Sequence, residues 1–239
     1  MDNYLTTQTK SGSMNIYTSS RQDSAKLPVV IVLQEAFGIN SHIKNVCQRL
    51  ASAGYLALAP ELYHREGQHV TFDYSEKDRF MPYLGRLNNA GLLEDVQATI
   101  EFSQTLPNAD NQNLFTMGFC MGGFTSMLSA VNFKLNGAIS FYGAGVVNPR
   151  AGIGFKPFLE LLANSCPLLL FYGEDDISIP EADRFAIRNE LDQNHVPHEM
   201  LVFGKSDHGF FCDERRTFHK SAADQAWKKS LEWMQSLKR

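Results

Sequence analysis

The chain has 239 residues, of which 44% are hydrophobic and 20% are charged, so it is long enough to bury the core of one α/β domain. The net charge is −4 and the basic residues are scattered, which argues against nucleic acid and anionic membranes as partners. Residues 1–10 are polar, and no apolar run reaches the roughly 18 residues of a membrane span, so we expect a cytoplasmic protein.

The order of apolar and amphipathic segments predicts the fold. Apolar runs, many of them β-branched, alternate with amphipathic segments along the chain. This alternation is typical of an α/β fold with a mostly parallel central sheet flanked by helices on both faces, and we expect a single domain over residues 1–239. Strands are predicted at residues 12–18, 29–34, 56–59, 114–119, 137–142, 168–172 and 199–203. Helices are predicted at residues 41–53, 92–105, 122–131, 181–194 and 217–238. Residues 63–87 are the least regular and are expected to cross one edge of the sheet, with a short helix.

Cysteine and histidine spacing gives no sign of a metal centre. Four cysteines are spread along the chain, and none lies in a C-x-x-C pair or at zinc-finger spacing. Free thiols are therefore expected rather than a disulfide framework. The seven histidines form no H-E-x-x-H motif, so we expect neither a metal nor a cofactor.

The most informative motif is Gly118-Phe119-Cys120-Met121-Gly122-Gly123. It follows the apolar run at residues 114–117 and predicts a buried strand, a sharp turn and the start of a helix. In α/β-hydrolases this turn usually carries a nucleophilic serine in G-x-S-x-G, so Cys120 takes the position of a nucleophile. The helix start directs N–H groups at the thiol, which favours a thiolate. The alternative is a glycine-rich turn that holds a buried structural cysteine.

A catalytic thiol needs a base, and the base needs a group that orients it. Asp176 follows the predicted strand at residues 168–172 and is the expected acid, although Glu174 and Asp175 remain alternatives because spacing alone cannot select among them. His208 lies in the loop after the last predicted strand and is the expected base. Nucleophile, acid and histidine then follow in the order of an α/β-hydrolase.

The loop after the strand at residues 29–34 is expected to complete the site. Its Ala36 and the residue after the nucleophile, Met121, are the predicted N–H donors of an oxyanion hole. Glu35 lies at the end of an apolar strand, where an unpaired carboxylate would be costly. It is either a structural partner of an arginine or a second acid beside the thiol that accepts its proton.

Four motifs in this order resemble the dienelactone hydrolase family: residues 33–40, 118–123, 173–176 and 208–210. The resemblance extends from about residue 13 to the C-terminus. It implies a monomeric or weakly associating α/β-hydrolase that cleaves lactones or esters of small carboxylic acids without a cofactor. It also implies a Cys-Asp-His triad with an auxiliary glutamate, formed here by Cys120, Asp176, His208 and Glu35.

One position departs from the family pattern. Family members that act on dienelactone hold the substrate carboxylate with arginines, one of them four residues beyond the histidine, where this chain has Cys212. Other arginines are available to rebuild an anion site; they are Arg65, Arg79, Arg86, Arg215 and Arg216. The residues predicted to bind substrate are Phe37, Tyr83, Arg79 and Phe210.

The predicted function is hydrolysis of a small ester or lactone through an acyl thioester on Cys120, similar to carboxymethylenebutenolidase. Two alternatives remain at this level. The same triad could serve a general carboxylesterase or thioesterase, since a fold does not determine a substrate. The chain could also be a non-catalytic binding or redox-sensing module in which Cys120 or Cys212 is the sensor.

Overall fold

A computed structural model of the protein describes residues 2–21 and 26–239. Within these residues eight strands form one sheet: β1 (Asp2–Thr9), β2 (Gly12–Ser19), β3 (Leu27–Leu33), β4 (Leu56–Pro60), β5 (Ala109–Phe119), β6 (Gly137–Phe141), β7 (Leu168–Gly173) and β8 (His198–Phe203). The order across the sheet is β1-β2-β4-β3-β5-β6-β7-β8. The six strands β4, β3, β5, β6, β7 and β8 run parallel to one another. β2 is antiparallel to both of its neighbours, β1 and β4. The predicted α/β class is therefore confirmed.

Helices flank the sheet: α1 (Ser41–Ser52), α2 (Lys77–Arg86), α3 (Asn89–Gln104), α4 (Met121–Asn132), α5 (Glu181–Gln193) and α6 (Lys220–Ser236), with a 3-10 helix at Leu159–Asn164. β6 and β7 are buried along their whole length, and β3 is buried at every residue except Pro28, as expected of a parallel sheet that is covered on both faces. No helix in the described part of the chain is both long enough and apolar enough to cross a membrane.

The predicted elements agree with the observed ones apart from their ends, and the sequence missed β1 and the 3-10 helix at Leu159–Asn164. β1 was not predicted, because it is an edge strand of mainly polar residues that pairs only with β2. The cap of α1 is Asn40, whose side chain accepts a hydrogen bond from the Ile43 N–H. The last helix begins at Lys220, three residues later than predicted.

The irregular segment at residues 63–87 contains the short helix α2 and is anchored to α3 by a buried carboxylate. Asp95 is fully buried, and its two oxygens accept hydrogen bonds from the Arg65 guanidinium at 2.8 and 2.9 Å. His64 Nε2 lies 3.0 Å from the same carboxylate. A buried carboxylate is tolerated where it is paired and hydrogen-bonded. This network holds the start of the irregular segment against α3. The segment then places α2 at the edge of the sheet.

Candidate active site

A sharp turn between β5 and α4 presents Cys120 to a cavity. Cys120 has φ 54° and ψ −113°, a conformation that residues with side chains rarely adopt. A Cβ on Gly118 would lie 1.9 Å from the Gly122 carbonyl oxygen, and one on Gly122 would lie 2.0 Å from the Leu33 carbonyl oxygen. Only glycines allow this approach of β5, α4 and β3. The predicted strand, turn and helix are present, and Cys120 lies at their junction.

The loops after β7 and β8 are hydrogen-bonded to each other. The Glu174 N–H donates to the Phe203 carbonyl at 2.9 Å, and the Asp175 N–H donates to the Ser206 carbonyl at 2.9 Å. A Cβ on Gly173 would lie 2.3 Å from the same Ser206 oxygen. These contacts bring two segments that are about thirty residues apart in the chain to the same edge of the sheet.

That approach places the predicted acid against the predicted base. His208 Nδ1 lies 2.7 Å from Asp176 Oδ2. The other carboxylate oxygen of Asp176 accepts a hydrogen bond from the Ser178 N–H at 2.8 Å, and the residue is almost completely buried. Glu174 and Asp175 are exposed. Of the three acids that spacing left open, only Asp176 contacts His208 in this way.

The charges of the three groups favour an ion pair. Burial raises the pKa of the Cys120 thiol, but the charge of His208 and its hydrogen bond outweigh burial and hold that pKa below its ordinary value. Burial lowers the pKa of His208, yet Cys120 and Asp176 raise it to about 10. Burial also opposes ionisation of Asp176, while its bond to His208 holds the carboxyl pKa low. These shifts favour a thiolate at Cys120 beside an imidazolium at His208.

Glu35 forms an ion pair with Arg215, as expected if it is the structural partner of an arginine. Its carboxylate is fully buried, and Arg215 Nη1 donates to Oε1 at 3.2 Å. The Tyr74 hydroxyl lies 3.5 Å from Oε2, the outer limit of a hydrogen bond. Gly209 leaves room for the arginine, since a Cβ there would lie 2.3 Å from Arg215 Nη1. The negative charge of Glu35 also acts on the Cys120 thiol by opposing its ionisation.

The two residues predicted to form an oxyanion hole both line the cavity beside Cys120. Ala36 follows β3 and Met121 is the first residue of α4. An N–H in the first turn of a helix has no partner within the helix, so that of Met121 is free to face a ligand. Tyr63 donates its hydroxyl proton to the Ala36 carbonyl at 2.9 Å. This bond holds the peptide group that joins Ala36 to Phe37.

The cavity has a volume of about 350 Å³ and is lined by apolar and cationic side chains. Cys120 and His208 form part of its wall. The apolar wall consists of Phe37, Phe80, Met81, Leu84, Ile153 and Phe155. Three cationic residues also line it, Lys77, Arg150 and Arg215. Such a cavity fits a small, largely apolar molecule that carries negative charge.

Of the four residues predicted to bind substrate, Phe37 lines this cavity and the other three do not. Tyr83 packs edge-on against Tyr63 and Phe72, with centroids 5.5 and 4.9 Å away. Arg79 is exposed and paired with Glu76.

Phe210 is fully buried between the rings of Tyr142 and Phe203.

Sequence reasoning missed Lys77 and Arg150, which lie in segments without a recognisable motif. Arg215, one of the arginines considered from the sequence for an anion site, supplies a cationic side chain at the cavity. It lies seven residues beyond His208.

A second group of side chains lies behind Glu35. An oxygen of Glu35, a ring nitrogen of His42 and the sulfur of Cys212 lie within 4.8 Å of one another, and all three residues are buried. The three come from the loop after β3, from α1 and from the loop after β8. Oxygen, nitrogen and sulfur are the donors of many protein zinc sites. This grouping is the one potential metal-ligand set among residues 2–21 and 26–239.

Comparison with known proteins gives a consistent result. The model of the dienelactone hydrolase family matches residues 14–238. A Synechocystis protein provisionally named carboxymethylenebutenolidase is 36% identical over 211 residues, which cover 87% of this chain and 86% of that protein. An Escherichia coli protein with the same provisional name is 33% identical over 215 residues, covering 89% and 78%. A Klebsiella pneumoniae crystal structure, provisionally described as a dienelactone hydrolase, has a TM-score of 0.88 and 28% identity, and the match covers 98% of both chains.

Proposed function

The chain belongs to the dienelactone hydrolase family, and we propose that Cys120 is the nucleophile with which it opens an ester or lactone of a small carboxylic acid. Membership makes the protein a hydrolase of ester or lactone bonds. The proposal adds the residues, the intermediate and the charge of the substrate. It rests chiefly on one observation, the 2.7 Å contact of Asp176 with His208 at the cavity that Cys120 also lines.

In the first half of the reaction, the Cys120 thiolate attacks the carbonyl carbon and forms a carbon–sulfur bond. The N–H groups of Ala36 and Met121 hold the negative charge that develops on the carbonyl oxygen. The carbon–oxygen bond of the ester then breaks, and the leaving oxygen takes a proton from the His208 imidazolium. The product is an acyl thioester, with the alcohol either released or, from a lactone, retained on the acyl group.

In the second half, neutral His208 removes a proton from water while Asp176 keeps the imidazole oriented. The resulting hydroxide attacks the thioester carbonyl, the carbon–sulfur bond breaks, and Cys120 leaves as a thiolate. The starting ion pair is restored. Because a thiolate leaves more readily than an amide nitrogen, this cycle suits esters and lactones better than peptides.

The cavity supports an anionic substrate. Arg215 contacts Glu35 in the unliganded protein, and Arg150 and Lys77 line the same cavity. A substrate carboxylate would compete with Glu35 for the Arg215 guanidinium. That competition would free Glu35, which we propose as an auxiliary acid beside the thiol. No disulfide joins any of the four cysteines, which supports a reducing compartment and the cytoplasm as the proposed location.

Mass spectrometry on the acyl enzyme tests the nucleophile. A panel of small lactones, aryl esters and acyl thioesters, with and without a carboxylate, is mixed with the protein and quenched at short times. We expect an acyl adduct on the peptide that contains Cys120, and the loss of adduct and hydrolysis in Cys120→Ala. Cys166→Ala, which removes a half-buried thiol outside the cavity, is the matched control and should retain both. Full activity in Cys120→Ala would contradict the proposal.

A further inference from the structure

Behind the proposed nucleophile lies a set of three buried donors, two of which, His42 and Cys212, have no part in the hydrolytic cycle. Glu35 and Cys212 are fully buried and His42 is 2% exposed. One donor atom from each lies within 4.8 Å of the others. The Nε2 atom of His42 is buried and has no hydrogen-bond partner among the described residues. A buried polar atom without a partner costs free energy, so a ligand that satisfies it would be held there.

The donor types and their separations fit a borderline metal ion. Zinc binds thiolate sulfur at about 2.3 Å and imidazole nitrogen or carboxylate oxygen at about 2.0–2.2 Å, in a tetrahedral arrangement. Donor atoms around such an ion are separated by about 3.3–3.7 Å, as follows from those bond lengths. The donor atoms of Glu35, His42 and Cys212 lie up to 4.8 Å apart. Their distances therefore need to shorten by about 1 Å for all three to bind one ion. Binding therefore requires Glu35 and Cys212, which are both fully buried, to move closer to His42.

The surroundings supply the outer contacts of a metal site. The Tyr74 hydroxyl lies 3.1 Å from Cys212 Sγ and accepts a hydrogen bond from Asn40 Nδ2 at 2.9 Å. It is positioned to become a fourth ligand or to hold a water in that place. Arg215 contacts Oε1 of Glu35. The second oxygen, Oε2, has a weak contact of 3.5 Å with the Tyr74 hydroxyl and is therefore the oxygen that would bind the metal. Outer contacts of this kind orient metal ligands.

We propose that Glu35, His42 and Cys212 form a binding site for a zinc-like divalent cation, separate from the thiol of Cys120. On binding, the Cys212 thiol gives its proton to solvent as the metal–sulfur bond forms, and His42 binds as the neutral imidazole. Two anionic ligands then balance the charge of the ion.

His42 also lines a cavity other than that of Cys120. This second surface cavity has a volume of about 380 Å³, and Phe211, Asp213 and Asp224 line it as well. We propose it as the side from which a cation enters the site. Bound metal would hold Glu35 and keep it from the thiol, so hydrolysis should slow. That consequence for activity rests on the proposed function, whereas binding of the metal does not.

Cobalt(II) serves as the probe because its thiolate bonds give a charge-transfer band in the near ultraviolet. The titration uses Cys120→Ala protein, which cannot offer the active-site thiol as a ligand. We expect one cobalt ion per chain with a thiolate band, and competition by zinc. Adding Cys212→Ser should abolish the band and weaken the cobalt Kd at least about 100-fold, since even outer contacts of metal ligands contribute about 10–100-fold. Adding Cys166→Ser instead is the matched control and should change neither.

A second measurement does not depend on a variant at the site. X-ray absorption of zinc-loaded Cys120→Ala protein should find one sulfur neighbour together with nitrogen and oxygen neighbours. The proposal is overturned if Cys120→Ala binds no cobalt, if the band survives Cys212→Ser, or if the zinc has no sulfur neighbour. These readouts do not involve hydrolysis, so an error in the proposed function would leave them unchanged.

Discussion

Arg215 Nη1 lies 3.2 Å from Oε1 of Glu35, at the wall of the cavity that Cys120 lines. The arginine comes from the loop after β8 and the glutamate from the loop after β3, 180 residues apart in the chain. This pair supplies a cation near the thiol although Cys212 occupies the position where family members that act on dienelactone carry an arginine. It agrees with the interpretation of Glu35 as the structural partner of an arginine, whereas its role as a second acid stays a prediction.

Replacing Arg215 should select against anionic substrates. For Arg215→Gln we expect kcat/KM to fall about 10–100-fold on a lactone that carries a carboxylate, which is the range of one hydrogen bond to a charged group. A neutral aryl ester should change far less. Arg216→Gln, an exposed neighbour, is the control and should leave both substrates unaffected. Equal losses on the charged and the neutral substrate would contradict anion recognition by Arg215.

The same pair should be visible in stability. Arg215→Gln leaves the buried Glu35 carboxylate without its partner, so the free energy of unfolding should fall by about 3 kcal/mol. Glu35→Gln in the same chain removes the buried charge, and most of the lost stability should return. Urea unfolding of the two single variants and the double variant measures the coupling. Additive effects would mean that the pair contributes nothing to the fold.

Asp176 should matter to catalysis and its neighbour should not. Asp176→Asn removes the charge that orients His208 and stabilises its protonated form, so kcat should fall about 10²–10⁴-fold, the range of general acid–base catalysis. Asp175→Asn changes an exposed residue one position earlier and should retain activity. Steady-state kinetics with a soluble ester measure both. A strong loss in Asp175→Asn, with activity kept in Asp176→Asn, would show that the other carboxylate acts.

The pH dependence should follow from the thiolate and imidazolium pair. Because the pKa of Cys120 lies below its ordinary value and that of His208 is raised to about 10, kcat/KM should be bell-shaped. It falls on the acid side when the thiolate takes up a proton, and on the alkaline side near pH 10 when the imidazolium loses one. Rates with an ester that hydrolyses slowly by itself give the profile. An alkaline limb near the ordinary histidine pKa would contradict the ion pair.

Stability should carry the same signature with a defined sign. A histidine whose folded-state pKa is raised from 6.5 to about 10 contributes stability below pH 6.5, and this contribution disappears as pH rises to about 10. Cys120→Ala removes the thiolate that raises this pKa, so His208 should titrate at lower pH in the variant. NMR titration of the His208 ring measures the shift directly. An unchanged His208 pKa in Cys120→Ala would show that the thiolate does not hold the proton.

Gly122 should be intolerant of a side chain. A Cβ there would lie 2.0 Å from the Leu33 backbone oxygen, and the backbone cannot rotate away as a side chain can, so Gly122→Ala should destabilise by about 3 kcal/mol, the upper end of the usual range for overpacking. Gly91, in the first turn of α3, is the matched control because an added Cβ would make only ordinary contacts of 3.5 Å and longer. Gly91→Ala should stabilise by about 0.5–1 kcal/mol. Urea unfolding measures both, and a stable Gly122→Ala protein would contradict the close approach.

Local sequence patterns determined the elements and much of the candidate site. Buried strands of a parallel sheet are continuous apolar runs, and the turn at Cys120 needs glycines, so both are readable along the chain. β1 escaped prediction because an edge strand with polar residues has no such run. The order and spacing of the residues left Glu174 and Asp175 open beside the preferred Asp176, and the resemblance to the family assigned the role to Asp176. It is the acid that contacts His208 in the structure.

What the sequence could not determine is which side chains meet across the sheet edge. Tyr83, Arg79 and Phe210 have the right chemistry for a pocket, but their positions depend on how α2 and the loop after β8 pack, and they lie elsewhere. The pairing of Glu35 with Arg215, and the grouping of Glu35, His42 and Cys212, join loops and a helix that are distant in the chain. Residue spacing encodes the local backbone, whereas these contacts depend on the relative placement of whole elements, which packing of the complete core sets.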